Sequence, residues 1–123
     1  MAKIIVVDDD KVATTLFEQV LLMHGYEVIT LNESKKTIET ANSIHPDLFI
    51  LDLMMPEPDG FKLCRMLRAD PQYRSTPILI VTALNNTDSR LVALGAGAND
   101  YLVKPFHIDQ LFEAVEKQLN KDA

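Results

Sequence analysis

The stretch Phe49-Ile50-Leu51-Asp52-Leu53-Met54-Met55-Pro56-Glu57-Pro58-Asp59-Gly60 decides how the rest of the chain is read. The apolar run from Leu48 to Leu51 is short, unbroken and followed by turn-formers, the pattern of a strand covered on both faces in a parallel sheet. Asp52 then stands where a buried strand comes out into water, and a Pro/Asp/Gly-rich turn carries the chain into a new segment. Taken alone, such an aspartate is equally well read as the cap of that turn. The positions of the other polar residues decide between the two readings.

On either side, strand-like and helix-like segments alternate. Lys3 to Val7 is a β-branched run ending in Asp8-Asp9-Asp10, and Lys11 to His24 is amphipathic, with Val12, Leu16, Val20 and Met23 along one face. Gly25 suits the residue after a helix, and Tyr26 to Leu31 reads as a second strand. Ser34 to Ile44 is a more polar second helix, broken at His45-Pro46 before a third strand over 47–52. A third helix runs from Gly60 to Ala69 and a fourth strand from Pro77 to Val81. Asn86 to Ala96 forms a fourth helix, with Leu91 and Leu94 facing inward and Val92 outward. Asp100 to Val103 is a fifth strand, and Ile108 to Leu119 a last helix using Ile108, Leu111, Phe112, Val115 and Leu119. Five strands alternating with five helices argue an α/β fold, a doubly wound, flavodoxin-like parallel sheet with the order 2-1-3-4-5.

The totals narrow the function. A chain of 123 residues suits one domain over 1–123 that buries about two-thirds of its unfolded surface without a staple. The single Cys64 reads as a small buried hydrophobe. Twelve Lys and Arg against eighteen Asp and Glu give a net charge of −6, which disfavours direct binding to nucleic acid. No apolar run approaches the about 20 residues of a membrane span, and no signal peptide is visible, so the cytoplasm is the expected compartment.

In a doubly wound sheet the strand carboxyl ends share one edge, where ligands bind. The sequence delivers Asp8 and Asp9, Asp52, Thr82 and Lys104 to that edge, whereas the second strand ends in Thr30 and Leu31 and brings no charge. Clustered carboxylates repel, and a hard divalent cation with oxygen ligands holds them together. Magnesium, with manganese as the alternative, fits such a set and leaves room for a phosphoryl group. Lys104 and the Thr82 hydroxyl then offer a charge and a hydrogen bond to it.

In order and spacing, Asp8-Asp9, Asp52 with Met55-Pro56 and Asp59-Gly60, Val81-Thr82-Ala83, Gly97-Ala98 to Asp100-Tyr101, and Lys104-Pro105-Phe106 resemble the receiver domains of two-component response regulators. The resemblance covers the whole chain. It implies that Asp52 accepts a phosphoryl group from a phosphohistidine on a sensor kinase or phosphotransfer protein. It further implies that Asp8, Asp9, Asp52 and the backbone carbonyl of Met54 hold Mg²⁺, that Lys104 contacts the phosphoryl oxygens, and that Lys104-Pro105 is cis. Thr82 and the amide of Ala83 would close on the new charge, and Tyr101 would swing into the vacated space. The readout surface would be the fourth helix, fifth strand and fifth helix, acting on an effector protein or a fused output domain. Such a domain catalyses only its own phosphorylation and dephosphorylation. With Met54 and Leu84 flanking the path of attacking water, the phosphoryl group is expected to be long-lived.

Other readings remain beside these. Asp10 suits the start of the first helix, and Asp59 suits a turn and a cap. His24, His45 and His107 fall near helix ends or turns, and Met54 and Met55 read as one exposed and one packed residue. Val92 and its neighbours offer a face for self-association. A phosphatase of the haloacid dehalogenase type would use Asp8 as nucleophile and Asp10 as acid, but leaves Asp52 and the Met55 to Gly60 turn unexplained. An unphosphorylated receiver-fold binding module has no residue in its favour.

Overall fold

The computed structural model describes residues 1–120. Five parallel strands, β1 (Lys3–Val7), β2 (Glu27–Leu31), β3 (Leu48–Leu51), β4 (Ile78–Thr82) and β5 (Asp100–Val103), form one sheet in the order β2-β1-β3-β4-β5. The helices are α1 (Lys11–Met23), α2 (Thr37–Ile44), α3 (Gly60–Ala69), α4 (Thr87–Gly95) and α5 (Ile108–Leu119). The fold is the flavodoxin-like arrangement expected from the alternation of strands and helices.

The period of two along each central strand divides the core. Ile5, Val7, Phe49, Leu51, Ile78 and Ile80 face one side with Ala41 of α2, Leu63, Cys64 and Leu67 of α3 and Ala93 of α4. Ile4, Val6, Leu48, Ile50, Leu79 and Val81 face the other with Phe17 and Leu21 of α1 and Leu111 and Val115 of α5. Both faces of β1, β3 and β4 are thus dry, which is why these strands read as continuous apolar runs. Each buried Val, Leu, Ile or Phe side chain among them stabilises the fold by about 1.5–3 kcal/mol relative to exposure.

Three helix starts are capped by the residue that the local sequence offers. Asp10 Oδ1 accepts the Val12 amide at 2.9 Å, Asp59 Oδ1 the Lys62 amide at 2.9 Å, and Asn86 Oδ1 the Ser89 amide at 2.7 Å. Such caps contribute about 1 kcal/mol each. His45 ends α2 at φ 57°, and Gly25 follows α1 at φ 93°. The Lys104–Pro105 peptide is cis, as the resemblance implies, and so is Glu57–Pro58, which the sequence reading does not anticipate.

Several expectations need correction. In α1 the buried residues are Thr14, Phe17 and Leu21, while Val12, Leu16 and Met23 are exposed. The helix is apolar around much of its circumference, and the stripe holding the aromatic ring wins over the one a residue away, a rotation of about 100°. In α4, Leu91 and Leu94 do not face inward: Leu91 is 61% exposed, and Ala93 is the buried residue. Ser89, Ala93 and Ala96 are the partly or fully buried positions there, so a stripe of small residues rather than of large apolar ones meets the core. Ile108 is likewise exposed and Gln118 buried in α5. The expected second helix opens instead with a 3-10 turn at Ser34–Lys36.

Candidate functional site

The parallel register brings the chain ends of four strands to one edge. Val7 pairs with Leu51 and Leu51 with Ile80, so Asp8 and Asp52 leave adjacent strands side by side, and Thr82 ends the next strand opposite Val103. The Asp52 amide donates to the Val7 carbonyl at 3.0 Å, which ties the start of one loop to the end of the neighbouring strand. Lys104 follows β5, and its amide donates to the Thr82 carbonyl at 2.8 Å.

Side-chain geometry completes the convergence. Carboxylate oxygens of Asp8, Asp9 and Asp52 lie within 4.8 Å of one another. The Lys104 ammonium reaches into the cluster, donating to Asp8 Oδ2 at 2.7 Å and to Asp52 Oδ2 at 3.3 Å. Asp8 is 2% exposed and Asp52 9%, whereas Asp9 is exposed. Asp8 Oδ1 also accepts the Asp10 amide at 2.9 Å, and Asp52 Oδ1 the Met54 amide at 3.3 Å. The donor set is entirely oxygen and carries one more buried carboxylate than the single ammonium balances, which fits a hard divalent cation such as Mg²⁺.

The electrostatics of the pair are unequal. Burial pushes the Asp8 carboxyl above its ordinary value of 3.8, outweighing Lys104 and the Asp10 amide, with the Asp52 charge adding to the rise. For Lys104, burial acts downward, but the hydrogen bond to Asp8 and the charges of Asp52 and Asp8 more than offset it, so its ammonium is held above its ordinary value. Lys104 gains from two carboxylates, while Asp8 gains from one ammonium and loses its water.

Not every expected site residue meets the acids. Thr82 is fully buried, and its hydroxyl accepts the Leu84 amide at 3.4 Å. Ala83 is exposed beside it. Tyr101 is 6% exposed, already inward, and its hydroxyl donates to the Leu84 carbonyl at 2.7 Å. Met54 projects outward, while Met55 packs on the core. Asp10 and Asp59 serve as helix caps, which leaves the dehalogenase-type reading without its acid. Among the histidines, His24 stacks on Phe112 with centroids 4.0 Å apart, far along the chain from the acidic loops.

Two supporting residues of this edge escape the sequence reading. Asn32 Nδ2 donates to the Asp8 carbonyl at 2.9 Å and to Thr14 Oγ1 at 3.0 Å, fixing the first acidic loop from the edge strand. Ser34 Oγ donates to the carbonyls of Pro56 and Pro58 at 3.1 and 2.7 Å, fixing the loop after Asp52. Asn32 sits one residue past the strand that brings no charge, so a search for charged groups passes over it. Gly60 is required for another reason: a Cβ there would fall on the Asp52 carbonyl oxygen and lie 2.6 Å from Leu53 Cα.

Comparison with known proteins agrees with this edge. The family described as response regulator receiver domain matches residues 4–116. The chain is 36% identical over 121 residues to the DNA-binding dual master transcriptional regulator RpaA of Synechocystis sp., covering 98% of this chain and 50% of that protein. It thus spans about half the length of that relative, and a quarter of another, the response regulator PleD of Caulobacter vibrioides. Among solved structures, the chemotaxis protein CheY4 of Vibrio cholerae superimposes with a TM-score of 0.92 at 31% identity, covering 97% of this chain and 99% of that one. The receiver domain of the sensor histidine kinase PA1611 from Pseudomonas aeruginosa PAO1 gives a TM-score of 0.89 at 30% identity, with 97% and 98% covered, and carries a magnesium ion coordinated in its active site cleft. With the sheet order, the acidic edge and the family match over nearly its whole length in agreement, the chain belongs to the response regulator receiver domains of two-component systems.

Proposed function

We propose that residues 1–123 act as one phosphoacceptor domain, with Asp52 the nucleophile. The observation that supports this most directly is the Lys104 ammonium bridging Asp8 and Asp52 at the strand ends. An Asp52 carboxylate oxygen attacks the phosphorus of a phosphohistidine on a histidine kinase or phosphotransfer protein. A new O–P bond forms, the N–P bond breaks, and its electron pair returns to the donor imidazole. Asp8, Asp9, Asp52 and the Met54 carbonyl are the groups that would hold Mg²⁺, which when bound neutralises phosphoryl oxygens. Lys104 exchanges a carboxylate oxygen for a phosphoryl oxygen, and its raised basicity keeps it charged throughout.

The aspartyl phosphate carries about −1.5 to −2 charge and strong acceptors. The Thr82 hydroxyl and the Ala83 amide supply donors to it, drawing the loop after β4 inward. The surface of α4, β5 and α5 transmits the change to an effector protein or a fused output domain. The protein catalyses no reaction on a separate substrate, and the cytoplasm is the expected compartment. No helix among the described residues is long and apolar enough to cross a membrane.

Incubation with acetyl phosphate and Mg²⁺ is the direct test. The expected result is a mass gain of about 80 Da, one phosphoryl unit, present in the native protein and lost in Asp52→Asn. Retention of the gain in that variant would place the acceptor elsewhere.

A further inference from the structure

The face of α4 and β5 carries a contact that the proposed phosphoryl chemistry does not use. Arg90, an exposed residue of α4, lays its guanidinium over the ring of Tyr101, with Cζ 5.3 Å from the ring centroid. Its Nη2 also donates to the Tyr101 carbonyl at 3.4 Å. The same tyrosine donates its hydroxyl to the Leu84 carbonyl, in the loop that holds Ala83. One aromatic side chain thus joins a helix, a strand and the loop next to the acidic edge.

Among the described residues no carboxylate pairs with the charge of Arg90. Ion pairs among the described residues involve His24, Lys36, Lys62 and Lys104, and none involves Arg90. The guanidinium is left to the negative face of the ring, an attraction that a flat, weakly hydrated cation satisfies better than an ammonium does. Were Tyr101 to turn outward, it would lose the Leu84 bond and the stacked cation together.

We infer that Arg90 is a positioning residue that latches Tyr101 in its buried setting before any phosphoryl group arrives, so that the switch face of this chain is preset. The inference rests on the proposed function only in taking α4 and β5 as the output face. Phosphoryl capture then acts chiefly on Thr82 and Ala83, with the tyrosine already in place.

The test reads the ring of Tyr101 by nuclear magnetic resonance in ring-labelled protein with no phosphoryl donor present. The chain has three tyrosines, and Tyr101→Phe identifies the signal. In Arg90→Ala the ratio of buried to exposed ring is expected to fall about two- to fivefold, while the melting temperature stays close to that of the native protein because Arg90 is exposed. Arg90→Lys keeps the charge without the stacked plane and is expected to fall between the two. An unchanged ring signal in Arg90→Ala overturns the latch, as does an equal loss in both variants accompanied by a lowered melting temperature. The ring is read without donor, whereas the proposed function fails only if acetyl phosphate leaves Asp52 unlabelled, so the two failures are distinct.

Discussion

The two edges of the sheet treat buried charge in opposite ways. At the amino edge Arg68, from the last turn of α3, donates to the carbonyls of Gly97, Tyr73 and Thr76 at 2.9, 2.7 and 2.6 Å and to Asn99 Oδ1 at 2.7 Å. Asn99 Oδ1 also accepts the Ile78 amide at 2.8 Å, and the Tyr73 hydroxyl bonds Asn42, so every partner of that cation is itself tied to the fold. At the carboxyl edge three carboxylates gather round one ammonium, and the fold leaves part of their charge unanswered. One edge uses a charge to hold loops together. The other keeps an excess of negative charge ready for something that arrives from outside, at a cost in stability.

The largest expected effect is at the satisfied edge. Arg68→Ala strands the Gly97 and Thr76 carbonyls, while the Tyr73 carbonyl keeps the Thr76 amide, and should cost about 3 kcal/mol, a fall in melting temperature on the order of 10 °C. It should leave the acetyl phosphate reaction at Asp52 in place. A loss below about 1 kcal/mol in chemical denaturation would break the comparison, because the network would then be ornamental.

At the unsatisfied edge the sign reverses. Burial raises the Asp8 carboxyl in the folded state, so folding favours its protonated form. That contribution is fully present below the unfolded value near 3.8 and is lost as pH rises through the higher folded value. At neutral pH without Mg²⁺, Asp8→Asn is therefore expected to raise the melting temperature by about 3–5 °C, a gain on the order of 1 kcal/mol. The advantage should shrink as the pH is taken toward 4, and should shrink again when Mg²⁺ stabilises the native protein. A lowered melting temperature at neutral pH would mean that the Lys104 pair outweighs the lost hydration.

Two smaller effects sharpen the contrast. Met54, 58% exposed at the mouth of the site, offers water no hydrogen bond. Met54→Asn should shorten the phosphoryl lifetime about fivefold, the effect of one new hydrogen bond of about 1 kcal/mol to the attacking water. An unchanged decay rate would remove that residue from the hydrolytic path. Last, Leu91→Ser on the outer face of α4 should change stability by less than about 0.5 kcal/mol. Sedimentation of the native protein and this variant then measures whether the exposed Leu91 and Val92 support self-association: a native protein that stays monomeric, with and without phosphoryl transfer, removes that role.

How far the sequence carries depends on what each element must satisfy. The three inner strands are buried on both faces, which leaves little choice but continuous apolar runs, and α3, β5 and α5 begin and end where turn and cap residues allow. Asp8, Asp9, Asp52 and Lys104 were legible because each follows the last apolar residue of its strand and the fold class dictates a shared edge. The orientation of α1 was not, since Val12, Leu16 and Met23 form a stripe nearly as apolar as the one with Phe17 and Leu21. Nor was α4, whose packing rests on Ala93 while its leucines face water. Asn32, Ser34 and Arg68 were missed for a common reason: a polar residue that bonds distant carbonyls leaves no periodic trace in its own neighbourhood.

Gly60 has a wider consequence than the close approach that requires it. Its amide donates to the Leu53 carbonyl at 3.0 Å, and its bare Cα lets the first turn of α3 rest on the backbone of Asp52. The helix and Asp52 are therefore mechanically one body. A side chain at residue 60 would prise them apart, and substitutions on the outer surface of α3 can accumulate without disturbing the aim of the carboxylate only while that hydrogen stays in place.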